Sequence, residues 1–222
     1  MLKQDKQKRR QKPDHIPPPS EEFLLSATHG IGAFFSLIGL VLLVTKAIDN
    51  GDNLQIVSFS IYGLTLTTLY LSSTLYHGLH TPKARKFFRV MDHSSIYLLI
   101  AGSYTPFLMV GMPGRLSWIM LIVIWGLALI GIAFKVFFIH RFLKTSVVVY
   151  VLMGWLSVIM LKEMAANIPL YGLIWLGTGG ILYTVGVIFY SMKKIPYMHL
   201  VWHFFVLGGS FCHYMAVYLY LT

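Results

Sequence analysis

Cysteine is almost absent from this chain: Cys212 is the one thiol among 222 residues. That excludes an intramolecular disulfide and any thiolate cluster around a metal. Charge is scarce too. Only 12% of residues are charged, about half the usual ~25% of soluble domains, and the 8 acids are outnumbered by 18 bases. No small-residue cleavage signal accompanies the first apolar run, so it reads as retained rather than as a cleaved signal peptide. No convincing internal repeat occurs, and no run carries the sustained polar stripe of an aqueous pore.

What the chain has in excess is hydrophobic residues, 56% of the total. They fall in runs at 23–46, 54–77, 90–111, 115–138, 145–162, 170–191 and 200–221. Each is close to the ~20 residues that cross a bilayer as a helix. The expected fold is an all-α membrane protein, a bundle of seven transmembrane helices. Run five is the shortest, because Lys162 and Glu163 arrive early. Pro106 in run three predicts a local kink, since proline removes a backbone donor. Gly126 with Gly131, Gly177 with Gly179 and Gly180, and Gly208 with Gly209 predict close helix approach.

The net charge of +10 does not signal nucleic-acid binding, because the bases sort by loop. One side holds the N-terminal tail, loop two (Lys83, Arg85, Lys86, Arg89), loop four (Lys135, Arg141, Lys144) and loop six (Lys193, Lys194). Of all 18 bases only Lys46, Arg115 and Lys162 fall on the other. The positive-inside rule then puts the N-terminus in the cytoplasm and, after seven crossings, the C-terminus outside. Residues 1–19 form a basic, Pro-ending tail read as disordered, a topology signal that could also lie against anionic headgroups. Residues 20–222 form one transmembrane domain. Ser20-Glu21-Glu22 suits a helix start, a hydroxyl capping and carboxylates meeting the positive dipole end.

This topology assigns depths. His77 closes run two at its cytoplasmic end, with Ser73 one turn deeper on the same face. Asp92 sits near the cytoplasmic start of run three. In His199-Leu200-Val201-Trp202-His203 the two imidazoles share one helix face, His203 ~6 Å deeper than His199. Ser73, His77, Asp92, His199 and His203 thus reach one layer from three separate runs. Neutral imidazoles without thiolates suit zinc, with a fourth position for water, whose pKa zinc lowers toward ~7. Asp92 could orient an imidazole or act as general base, and Ser73 could hydrogen-bond a polarised carbonyl. A site just inside the leaflet, open to lipid from the side and water from below, fits hydrolysis of a lipid amide or ester. Position alone leaves a second reading open, that these histidines and Ser73 merely hydrogen-bond between helices.

Other histidines read differently. His15, His80 and His140 fall in the tail and basic loops, and His93 points away from Asp92's side of its helix. His29, ~9 Å into run one, is an alternative ligand or, better, an interhelical hydrogen bond. His213 lies ~15 Å beyond His203, too far to share its metal, and reads as a core hydrogen-bonding group or part of a polar path.

Several stretches carry a resemblance: Glu21-Glu22 with Thr28-His29-Gly30, Ser73-x-x-x-His77, Asp92-His93-Ser94-Ser95-Ile96-Tyr97, Gly102-Ser103-Tyr104-Thr105-Pro106, His199-x-x-x-His203 and Gly208-Gly209-Ser210. Together they resemble the hemolysin III family, bacterial relatives of the progestin and adiponectin receptors. The resemblance implies a seven-helix plasma-membrane protein with zinc held by His77, His199 and His203, beside Ser73 and Asp92. The wider group includes alkaline ceramidases and proposed metal-dependent lipid hydrolases, which implies a membrane-lipid substrate. The family name implies a cytolytic, pore-forming activity instead, and a role in lipid homeostasis has also been proposed. A third expectation makes zinc structural, in a sensor of membrane state. The short tail argues against a hormone-receptor role.

Overall fold

A computed structural model describes residues 18–138 and 143–222. Residues 1–17, which carry most of the expected disordered tail and His15, lie outside this description, as do His140 and Arg141. Helix α1 (Pro19–Asn50) turns at Gly51 into α2 (Asn53–Gly78), and α3 (Pro82–Pro106) continues as a π-helical turn (Phe107–Gly111). Helix α4 (Arg115–Phe138) follows. Next come α5 (Leu143–Gly154), a 3-10 stretch (Trp155–Met160) and the short α6 (Leu161–Asn167). The chain ends with α7 (Leu170–Ser191) and α8 (Met198–Tyr220). Among the described residues seven spans are long and apolar enough to cross a membrane, α5 and α6 together supplying the fifth. The described residues are helical with no strand, and the expected fold class holds.

Local chemistry sets these boundaries. Gly51, at φ 70, takes the left-handed conformation that closes α1. The Asp52 carboxylate then accepts from the Leu54 and Gln55 amides and caps α2. The expected Ser20 cap does not form: α1 starts one residue earlier, at Pro19, whose missing amide needs no partner there. Helix α3 begins at Pro82, eight residues before the apolar run, so Lys83, Arg85, Lys86 and Arg89 lie on helical turns and not in a loop. Hydropathy does not register polar turns, which is why the run starts late. Lys135, expected in a loop, occupies the last turn of α4 with 1% of its surface exposed. At Pro106 the regular hydrogen-bond ladder gives way to the π turn.

Large apolar side chains such as Phe34, Ile122 and Phe137 point outward, as a lipid-facing belt requires, while Tyr62, Phe59 and Val217 fill the centre. Helices α1, α2 and α3 pack in sequence, α7 packs along α8, and α8 returns against α1. Glycine permits close approach of α4 to α3 and, at two positions, of α7 to α8. A Cβ at Gly131 would fall 2.4 Å from Tyr97, one at Gly179 2.3 Å from His213, and one at Gly209 2.9 Å from Tyr183. Gly126, Gly177 and Gly180 face open space instead, against expectation. The fifth span touches its neighbours lightly, and the interior cavity opens beside it.

Candidate metal centre

The ends of four helices build the site. His77 stands in the last turn of α2, His199 in the first turn of α8, and His203 one turn on. Glu22 belongs to the first turn of α1 and Arg85 to the first turn of α3. His77 and His203 are buried and His199 is half-buried. One ligand nitrogen from each lies within 4.8 Å of the others, and the ring centroids are 5.0–5.5 Å apart. These three imidazoles could bind one metal ion.

The hydrogen bonds around the rings select the nitrogens that remain. His77 Nδ1 donates to Glu22 Oε2 at 2.8 Å, and the other Glu22 oxygen pairs with Arg85. Its Nε2 is then a lone-pair acceptor, buried and without a partner in the protein. Thr28 Oγ1 donates to the Leu24 and Leu25 carbonyls and lies 3.2 Å from His203 Nδ1. Having spent its one proton, it accepts from that nitrogen, which leaves His203 Nε2 as an acceptor too. A carboxylate or hydroxyl fixing the tautomer of an imidazole is the usual support of a metal-binding histidine. An unpaired lone pair in the interior is costly unless something electropositive meets it. The residues therefore fit a cation.

Glu21 adds a second brace. Its carboxylate accepts from the Tyr197 amide at 3.1 Å. Tyr197 has φ 63 at the head of α8, two residues before His199, a backbone state that non-glycine residues rarely hold without support. Adjacent carboxylates in one turn of α1 thus secure His77 and the entry to α8. At a helix start the pair has a sufficient reason in the helix dipole alone. The readable signal was two acids beside three bilayer histidines.

Ser73 and Asp92 stand on the wall of a cavity of about 150 Å³, together with His199, His203 and His29. His77 is in the cluster but not on that wall. Asp92 Oδ2 lies 3.4 Å from His93 Nδ1, which itself donates to the Arg89 carbonyl at 2.9 Å. His29 makes no interhelical hydrogen bond, contrary to expectation. Its ring stacks on His203 at 3.5 Å with a 6° tilt, and both of its nitrogens lack partners. His80 is exposed, as expected of a loop. Cys212 is buried in α8 as a free thiol.

The haemolysin-III-related family model matches residues 19–214. A Bacillus cereus protein named Hemolysin-3 is 46% identical over 201 residues, covering 90% of this chain and 92% of that one. A Hemolysin-3 homolog of Bacillus subtilis (strain 168) is 47% identical, covering 90% and 94%. The human monocyte to macrophage differentiation factor is 30% identical over 72% of this chain and 69% of its own. No solved structure matches the chain.

Proposed function

The chain belongs to the haemolysin-III-related family, linked through the human relative to the progestin and adiponectin receptor group, and on that footing we propose a zinc-dependent hydrolase of lipid amide or ester bonds. The observation that carries this reading is the orphaned Nε2 of His77, oriented by Glu22 and converging with His199 and His203 beside an apolar cavity. An all-imidazole donor set suits zinc. Bound there, zinc supplies a Lewis acid that polarises a carbonyl and acidifies water.

The rest falls to the protein's own groups. Glu22 and Thr28 hold the His77 and His203 rings with their Nε2 lone pairs free. Asp92 takes a proton from the attacking water and returns it to the departing amine or alkoxide. Ser73 donates a hydrogen bond to the substrate carbonyl. The cavity walls hold the acyl chain and exclude bulk water. The distribution of Lys and Arg supports a cytoplasmic N-terminus and a site near the cytoplasmic leaflet, and the bacterial relatives support residence in the plasma membrane.

The name of the Bacillus relatives points to lysis. Mainly apolar cavity walls do not favour a water-filled pore. The deciding experiment follows turnover of lipid amides and esters by protein reconstituted in nanodiscs. Turnover lost in His77→Ala is expected. Full turnover by a folded His77→Ala variant would contradict the proposal.

A further inference from the structure

Two cavities meet inside the bundle. The first, beside the histidine cluster, shares Ser103, Tyr104, Gly154, Trp155, Gly180 and His213 with a second of about 170 Å³, and these residues form a neck between them. Distance from the cluster can be read along α7, which packs on α8. A Cβ at Gly186 would fall 2.8 Å from Trp202, so Gly186 lies level with the turn that holds His203. Gly180 is then ~9 Å beyond that level at helical rise, and Leu173, on the wall of the second cavity, ~20 Å beyond it. The path thus covers more than half of a hydrocarbon core of ~30 Å.

The second cavity suits an apolar occupant. Among the described residues no charged side chain lines it, and Met112, Met160 and Met164 supply flexible walls that adapt to an apolar surface. At the neck, Ser103 donates to the Ile100 carbonyl. The Tyr104 hydroxyl bonds the Met153 and Gly154 carbonyls and accepts from the Ser157 amide, and Trp155 donates to Thr184. These bonds fix the neck's polar groups within the protein. Its space comes from missing side chains. Gly180 on α7 borders both cavities, as does Gly154 on the fifth span, and a Cβ at either would meet no atom within 4 Å. Unlike Gly131, Gly179 and Gly209, these two glycines admit no neighbouring helix.

We propose that the acyl chain of the bound lipid passes this neck into the second cavity, and that Gly180 keeps the path clear. The site would then take long-chain lipids, whose tails reach beyond the neck while the carbonyl stays beside His203. This rests on the lipid-hydrolase reading above. The occupant follows from continuity: the second cavity adjoins the wall that carries Ser73, Asp92, His199 and His203, and it adds apolar surface without a charge.

Octanoate, whose extended chain reaches only to the neck, and palmitate, which would pass it, provide the test. Neither can be hydrolysed, so binding to the full chain in nanodiscs reads the path independently of turnover. Both are offered at equal mole fraction in the bilayer. A longer chain gains no transfer energy there, because lipid is already apolar, and a length effect reports fit alone. Gly180→Leu should bind octanoate as wild type does and palmitate about tenfold more weakly, the scale of an overpacking penalty. Ser103→Leu narrows the same neck from α3 and should show the same selective loss, which keeps the test valid if one variant fails to fold. Gly126→Leu also enters open space but borders neither cavity, and should bind both acids as wild type does. Unchanged palmitate binding in the folded neck variants would overturn the proposal and leave the lipid reading standing. Equal weakening of both acids in those variants, or loss of palmitate in Gly126→Leu, would do the same. Binding of neither acid by wild type would overturn both.

Discussion

His77 Nδ1 lies 2.8 Å from Glu22 Oε2, and this contact joins the end of α2 to the start of α1. The same carboxylate holds Arg85 on α3. Three helices are thereby tied at the residue whose other nitrogen is left without a partner. A carboxylate in this position sets which imidazole nitrogen is free to meet a metal. The bond explains why an acid is kept inside a membrane protein with few acids of its own.

Glu22→Gln is expected to weaken metal binding by about 10–100-fold, the usual cost of losing such a partner. Competition against a calibrated chelator measures it. An unchanged affinity would remove Glu22 from the site.

A metal that ties α2 to α8 adds to stability by mass action, about 2.7 kcal/mol when the free ion is at a hundred times its dissociation constant. Chelation should therefore lower the melting temperature of the purified protein, and added zinc should restore it. His203→Ala protein should melt at a temperature that ignores both treatments. If chelation lowered the melting temperature while no lipid was ever consumed, the ion would be structural, as in the sensor alternative.

Gly131 receives the Tyr97 ring at a distance that leaves no room for a side chain. Gly131→Leu should part α4 from α3 and cost about 1–3 kcal/mol, the usual penalty of overpacking. Gly126→Leu, facing open space, should cost little. Comparing the two melting curves checks this directly.

The topology can be read with impermeant thiol reagents in a Cys212→Ser background. Arg115→Cys should be labelled from outside intact cells and His80→Cys only after permeabilisation. The reverse pattern would invert the bundle and move the histidine cluster to the outer leaflet.

Much of this was legible in the sequence. The seven apolar runs matched the spans, and the depths argued from loop charge placed His77, His199 and His203 together, as the structure finds them. What escaped had ordinary local explanations. Acids at a helix start already have a reason to be there, so Glu21 and Glu22 did not point to partners 176 and 55 residues away. The start of α3 was misplaced because its first turns are basic and hydropathy is blind to them. The stack of His29 on His203 depends on how α1 meets α8, which no single helix pattern encodes. Burial of Lys135 is likewise a matter of neighbours brought up by other helices.

The central claim is a metal ion held by three imidazoles, and metal content tests it most directly. Detergent-purified wild-type protein is measured by elemental analysis beside His77→Ala, His199→Ala and His203→Ala variants shown to be folded. About one zinc ion per wild-type chain is expected, lost in each variant. Folded wild-type protein without zinc, or variants that keep it, would contradict the account and leave these histidines as packing between helices.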